Sequence, residues 1–260
     1  MRIARFTTGQ DPRFGVVEQA DGGEVLAVVT GDPLYAPLQF TGERIPLDDG
    51  VRLLAPVIPR SKVVGIGRNY AEHAAEMGNE VPAEPLVFLK PNTSVIGPGD
   101  PIPLPAQSQE VHYEGELAVV IGRVCRDVPL ARVPEVVLGY TCANDVTARD
   151  LQRTDGQWWR AKGFDGFCPL GPYLVTGLDP ADLRLTTRLD GATVQDGRTS
   201  QLVVDVARLV AYVSAAMTLL PGDVILTGTP AGVGPMRPGQ RVEVEIEGIG
   251  VLSNPVVSRD

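Results

Sequence analysis

His112-Tyr113-Glu114-Gly115-Glu116-Leu117 places two carboxylates at the mouth of an apolar run, Leu117 to Ile121, that ends at Gly122. Such a run reads as a buried strand. Side chains alternate faces along a strand, so Glu114 and Glu116 point the same way, roughly 6–7 Å apart. Two carboxylates entering a core together repel, and each resists desolvation. Basic partners, a shared proton or a hard cation would tolerate them. So would a solvated edge strand carrying salt bridges. Asp145, in Asn144-Asp145-Val146-Thr147-Ala148-Arg149-Asp150, is a natural third carboxylate. Three oxygen ligands, with water or substrate in the remaining positions, suit Mg²⁺ or Mn²⁺.

A second reactive pair stands on a short helix. Asn69 reads as its N-cap, Glu72 completes a capping box, and Gly78 suits the C′ position, which predicts a helix over Tyr70–Met77. His73 and Glu76 then share one face at i, i+3. The helix is only about two turns, marginal by itself, and the polar, proline-bearing stretch Asn79–Pro85 comes after it. Together they form a candidate lid able to close over a site. Read without other context, His73 is first a capping or surface histidine, and Lys162 can be a solvated lysine.

The elements that must position these groups are mostly strands. Residues 2–57 contain short β-like pieces, Arg2–Thr7, Phe14–Glu18 and Glu24–Val29, with Asp21-Gly22-Gly23 as a turn. Pro33, Pro37 and Pro46 interrupt the stretch after Val29, so residues 1–58 read as a small N-terminal β domain and 59–260 as the main one. Leu86–Leu89 and Val136–Ala143 read as strands, the second delivering Asp145 at its end. Thr147–Arg153 is expected to be a short helix with Arg149 and Gln152 on one face, and Gly156–Trp159 a loop. Asp205 opens the clearest helix, with Val206, Leu209, Val210, Val213 and Met217 as its apolar stripe. Val224–Leu226 is a short buried strand, and Arg241–Glu247 alternates as a half-exposed one. Frequent Gly and Pro among short strands predict a mainly β chain with few helices, an α+β curled sheet or roll.

Several function classes drop out. Gly65-x-Gly67 follows a strand, but Tyr70 stands where a third glycine belongs, so it is no dinucleotide fingerprint. Gly228–Gly234 is glycine-rich but lacks the lysine of a P-loop. Lys+Arg 23 against Asp+Glu 32 gives a net charge of −9, which argues against nucleic acid or an anionic membrane as partner. The two histidines, His73 and His112, rule out a multi-histidine zinc site. Cys125, Cys142 and Cys168 are scattered, which points to reduced thiols and a cytoplasmic setting, with Cys142 and Cys168 as small core residues. Met1–Phe6 lacks the apolar stretch of a signal peptide, and no run approaches the ~20 residues of a membrane span.

Taken in order, the motifs resemble the fumarylacetoacetate hydrolase family. They are Gly67-Arg68-Asn69-Tyr70 with His73, Phe88-Leu89-Lys90-Pro91, and Glu114-Gly115-Glu116-Leu117. The segment Asn144–Asp150, Ala161-Lys162-Gly163-Phe164 and Leu226-Thr227-Gly228-Thr229-Pro230 complete the set. The resemblance spans roughly Leu53 to Val257. It falls in the branch of acylpyruvate hydrolases, oxaloacetate decarboxylases and 2-hydroxyhepta-2,4-diene-1,7-dioate isomerases. It implies a mixed β-sandwich roll, in a homodimer. It further implies that Glu114, Glu116 and Asp145 bind Mg²⁺ or Mn²⁺, that His73 and Glu76 activate water, and that Lys162 meets the substrate or its oxyanion. Arg149, Gln152 and Thr229 match substrate-contacting positions, and His112 is expected behind the ligands. The activity so implied is cleavage of C–C bonds in acylpyruvate-like 2-oxo acids, including decarboxylation of oxaloacetate. The dienedioate isomerase and a catalytically silent binding protein of the same fold are the alternatives.

Overall fold

The computed structural model describes residues 1–258. The first strands are β1 (Arg2–Thr7), β2 (Arg13–Ala20), β3 (Gly23–Thr30), β4 (Gln39–Pro46) and β5 (Arg52–Leu54). Next come β6 (Val63–Gly67), α1 (Ala71–Glu76), β7 (Leu86–Lys90), β8 (Val95–Ile96), β9 (Ile102–Leu104) and β10 (Val111–Tyr113). β11 (Gly115–Ile121), β12 (Val137–Asn144) and β13 (Thr147–Ala148) lead to α2 (Arg149–Thr154) and α3 (Trp159–Lys162). β14 (Cys168–Val175), β15 (Arg184–Leu189) and β16 (Ala192–Arg198) precede α4 (Val206–Ala216). Four strands end the chain: β17 (Val224–Leu226), β18 (Gly234–Pro235), β19 (Arg241–Ile246) and β20 (Gly250–Ser258).

A 12-stranded sheet runs β4-β3-β2-β1-β14-β12-β11-β17-β6-β7, with β5 beside β1 and β8 beside β14. A five-stranded sheet, β16-β15-β19-β20-β9, and a three-stranded one, β13-β10-β18, complete the mainly β architecture. The N-terminal strands do not form a sheet of their own: Arg2 pairs with Val175 and Ile3 with Leu174 across β1 and β14.

β11 is buried along its whole length and lies between β12 and β17. Its alternation feeds two cores. Leu117, Val119 and Ile121 join the apolar stripe of α4, namely Val206, Leu209, Val210 and Val213. Ala118 and Val120 face the other side with Val63, Val224 and Leu226. An apolar strand buried on both faces belongs at the centre of a sheet. Glu116 continues the Ala118–Val120 row, so the charged end of this strand sits at the edge of a core. The α4 helix starts as expected, with the Asp205 carboxylate accepting the Arg208 amide at 2.8 Å.

The lid helix differs from its expected form. It runs Ala71–Glu76, and its N-cap, Tyr70, makes no side-chain cap. Asn69 is committed elsewhere: its Nδ2 donates to Val204 and Thr227 carbonyls and its Oδ1 accepts the Val204 amide. Three bonds to distant backbone outweigh one local cap. The helix expected over Thr147–Arg153 starts later, at Arg149, because Thr147 and Ala148 pair with His112 and Val111. Trp159, expected in a loop, begins α3. β4 and β5 arise in a stretch whose prolines argue against strands; β4 lies at an exposed sheet edge, where proline is tolerated.

Candidate active site

Glu114 and Glu116 flank Gly115 at the start of β11, and Asp145 follows β12. One ligand oxygen from each lies within 4.8 Å of the others, and all three residues are buried. Solvated-edge readings therefore fail for this pair. Three cationic side chains surround the carboxylates. Lys90 Nζ lies 2.5 Å from Asp145 Oδ1. Lys162 Nζ lies 2.5 Å from Asp145 Oδ2, 2.9 Å from Glu114 Oε2 and 2.8 Å from the Thr147 hydroxyl. Arg149 donates to Glu114 Oε1 and, at 2.5 Å, to Gln152 Oε1.

The partners are unevenly shared. Among the described residues, no cationic side chain pairs with Glu116; the Gly228 amide donates to its Oε2 at 2.7 Å. Burial, then Asp145 and Glu114, push the Glu116 carboxyl well above the usual range. Burial also opposes the Glu114 charge, but Lys162 and Arg149 hold its carboxyl below that range. Burial works against the Lys162 ammonium as well, yet Asp145 and Glu114 keep it above its ordinary value. An all-oxygen donor set with one carboxylate left without a counter-charge fits a hard divalent cation. Among the described residues, no thiol or imidazole joins the triad.

His73 is buried at 7% exposure, and its Nδ1 lies 3.3 Å from Glu76 Oε2. Glu76 also accepts the Gly232 amide, at 3.0 Å to Oε1. That bond ties the lid helix to the Gly228–Gly234 loop. Gly232 itself has φ +97, and a Cβ there would meet the Val194 carbonyl at 2.0 Å. Only glycine presents its amide in that place.

These groups share a cleft of about 270 Å³ lined in part by Arg68, His73, Glu114, Glu116, Lys162 and Thr229. Arg149, Gln152 and Trp158 also line it, so the expected site residues meet in one place, with Glu76 behind His73 and Asp145 beneath the two lysines. Two of them are occupied differently from expectation. Lys162 has an acceptor for each of its three N–H bonds, so it ties Glu114 to Asp145. The Thr229 hydroxyl donates to the Gly115 carbonyl at 2.8 Å and accepts from Gln195 Nε2 at 2.8 Å, so it braces the wall. His112 is buried and pairs with Glu110 at 3.1 Å, away from the ligand oxygens. Burial, then Arg149, lowers its pKa.

Two buried residues near the site carry roles that local sequence does not announce. Lys90 closes the apolar strand β7, and a lysine at 1% exposure there needs a buried anion. Gln195 of β16 accepts the Gly115 amide at 3.0 Å and donates to Thr229 and to the Pro230 carbonyl. Gly115 is required at this junction: a Cβ would meet the Thr187 hydroxyl at 2.2 Å. The cysteines play no part in the cleft. Burial pushes the Cys168 thiol up to about 12 and the Cys142 thiol higher, which leaves both inert.

The family model described as fumarylacetoacetate (FAA) hydrolase C-terminal matches residues 62–257, and one described as Rv2993c-like, N-terminal matches residues 1–56. Protein Rv2993c of Mycobacterium tuberculosis is 53% identical over 264 residues, covering 100% of this chain and 99% of that protein. The mitochondrial oxaloacetate tautomerase Fahd2a of Rattus norvegicus is 41% identical over 288 residues, covering 99% of this chain and 92% of the tautomerase. Among solved structures, the 5-carboxymethyl-2-hydroxymuconate delta-isomerase of Mycobacterium smegmatis superposes with a TM-score of 0.92. It is 53% identical, and the match covers 100% of both chains.

Proposed function

Because the chain belongs to the fumarylacetoacetate hydrolase family, we propose that it is a divalent-cation-dependent enzyme that interconverts keto and enol forms of a compact 2-oxo acid. The observation that carries this reading is one cleft lined by Glu114 and Glu116 of the buried carboxylate triad and by His73, with Glu76 behind it. The names of the rat tautomerase and the mycobacterial isomerase support proton transfer without bond cleavage as the main reaction. A silent binding protein would have no use for a buried, charge-matched cluster of this kind.

Glu114, Glu116 and Asp145 would hold Mg²⁺ or Mn²⁺, and such a cation polarises a 2-oxo group and lowers the barrier to losing a C3 proton. The chain's own residues supply the rest. Glu76 accepts from Nδ1–H of His73, which leaves Nε2 as the basic nitrogen that removes and returns the proton. Arg149 lines the cleft and has a buried Nε without a partner among the described residues, a donor that a substrate carboxylate would satisfy. The Gln152 carboxamide receives Arg149 on its oxygen and has its N–H groups free for the same substrate. Lys162 fixes the spacing of two ligand carboxylates and leaves positive charge beside the cleft.

Hydrolysis of acylpyruvates is the second reading, since the same imidazole nitrogen serves to take a proton from water. One panel separates the two. Enol–keto interconversion of oxaloacetate is followed by ultraviolet absorbance with Mg²⁺, with Mn²⁺ and with chelator. Pyruvate release from acylpyruvates and from oxaloacetate is measured in parallel. Metal-dependent interconversion without pyruvate supports the tautomerase. Pyruvate release at a comparable kcat supports the hydrolase or lyase. Inactivity in every assay would sink both.

A further inference from the structure

Gly232 is gripped on both of its polar backbone groups. Its amide donates to Glu76, 3.0 Å from Oε1 and 3.2 Å from Oε2. Its carbonyl accepts the Tyr113 hydroxyl at 3.0 Å. The same Glu76 Oε2 lies 3.3 Å from His73 Nδ1. A single line of contacts therefore runs from Tyr113 through Gly232 and Glu76 to the imidazole. Tyr113 ends β10, and Glu114 follows it, so the line starts beside the carboxylate triad.

The two ends of this line differ in firmness. The α1 helix has six residues, its N-cap makes no side-chain bond, and the Glu76 side chain is 35% exposed. So short a helix does not hold a carboxylate in one place by itself. Tyr113 is the opposite case. It is buried and packs with Val111, Val146, Ala148 and Met236 in one apolar cluster. Its backbone pairs with Gly234, and a Cβ on Gly234 would meet the hydroxyl at 2.8 Å. The ring thus crosses a bare backbone to reach Gly232, and its packing leaves the hydroxyl one place to go. Burial, then the Glu76 charge, pushes the phenol's pKa up, so it stays a donor.

We propose that Tyr113 is a positioning residue for proton transfer: by fixing Gly232 it sets where Glu76 stands, and through Glu76 it holds His73 as the Nδ1–H tautomer with Nε2 left as the base. This inference rests on the proposed role of His73. Tyr113 is not among the residues that line the cleft, so its effect passes through the Gly232 backbone and the Glu76 carboxylate. The reason such a brace matters is the choice between ring nitrogens. The opposite tautomer carries its proton on the nitrogen that must accept one, so every molecule that adopts it is lost to the reaction. A rigid strand supplies the order that a short helix lacks.

The test follows the imidazole directly. Long-range ¹⁵N NMR on the Mg²⁺-loaded protein, under mildly alkaline conditions where imidazoles are ordinarily neutral, reads the tautomer of each ring. The chain has two histidines, His73 and His112, so the signals are simple to assign. In the wild type His73 is expected as Nδ1–H. In Tyr113→Phe, which keeps the packed ring, that fraction should fall. Its kcat for enol–keto interconversion should drop roughly 3–10-fold, the worth of one hydrogen bond, with KM and Mn²⁺ affinity unchanged. In a Glu76→Ala background the same substitution should cost no further activity, since the line is already cut. A wild type with His73 as Nε2–H, a Tyr113→Phe variant with wild-type tautomer and kcat, or equal losses with and without Glu76 overturns the inference. A lower melting temperature as the only change in Tyr113→Phe assigns the hydroxyl to the loop alone and overturns it too. If His73→Ala keeps full activity while the tautomer still follows Tyr113, the positioning stands and the proposed base is removed instead.

Discussion

Gln195 Nε2 donates to the Thr229 hydroxyl at 2.8 Å while its Oε1 accepts the amide of Gly115, the residue between the two glutamates. One carboxamide from the five-stranded sheet therefore holds the ligand strand and the glycine-rich loop in register. Gln195→Leu leaves the Gly115 amide, the Thr229 hydroxyl and the Pro230 carbonyl short of partners. A loss of about 3 kcal/mol in urea unfolding is expected. Gln195→Glu keeps the acceptor for Gly115 but loses the donors and buries a carboxylate without a counter-charge, and should cost at least as much. Wild-type stability in Gln195→Leu would show that the network does not support the site.

The uneven sharing of cations predicts opposite outcomes for two ligand substitutions. Glu116→Gln removes the one buried carboxylate without a cationic partner, so metal-free stability should hold or rise, while Mn²⁺ affinity falls at least about tenfold. Asp145→Asn leaves Lys90 without its carboxylate and Lys162 with only Glu114, and should cost about 3–5 kcal/mol as well as the metal. Calorimetry with Mn²⁺ and denaturant unfolding in chelator read the two effects. Equal destabilisation by both substitutions would contradict the charge assignment.

His73→Ala removes the proposed base but no ligand oxygen. Loss of a general base typically costs about 10²–10⁴ in rate. Enol–keto interconversion should fall by that order, with Mn²⁺ affinity nearly unchanged. Glu76→Gln should lose less activity, because the amide still faces Nδ1, though its hold on the Gly232 amide changes. Metal affinity that collapses along with His73 would make the histidine part of the metal site.

The Glu76–Gly232 bond tethers the lid helix to the glycine-rich loop. Amide exchange across residues 70–85 should therefore quicken in Glu76→Ala. Oxalate, a chelating dianion, should slow exchange in the wild type. Protection that ignores both the substitution and oxalate would speak against gating.

Asp150 gives a pH signature apart from the cleft. Burial raises its carboxyl, but the Ser108 hydroxyl at 2.6 Å and the Gln109 and Leu151 amides outweigh this and hold it below the usual value. A lowered carboxylate pKa stabilises the fold above the unfolded value near 3.9. That contribution is lost as pH falls through the folded value. Asp150→Asn should melt below the wild type at neutral pH, and the gap should shrink under acid conditions below about pH 4. A gap independent of pH would assign the effect to shape alone.

The carboxylate triad is legible in the sequence because its signal is local: alternation puts Glu114 and Glu116 on one face, and β12 is mostly apolar before Asn144. The α4 helix is legible for the same reason, with a cap and a stripe inside one segment. Asn69 misleads because its true partners, Val204 and Thr227, lie far along the chain, and a capping pattern is the only local use for it. Lys90 and Gln195 are invisible for a related cause: each is explained by an anion or amide from a distant strand. The exposed strand β4 buries almost nothing, so no hydrophobic period marks it.

The position of β11 between β12 and β17 has a consequence in time. β11 is finished at Ile121, β12 at Asn144, but β17 begins only at Val224. At a synthesis rate of about 5–20 residues per second, the second edge of β11 waits on the order of 5–20 s for its neighbour. Until then a fully apolar strand, Leu117–Ile121, presents unpaired backbone groups to whatever is near. The residues that finally assemble around the triad are split by the same interval, so the growing chain must be guarded where it is later to work.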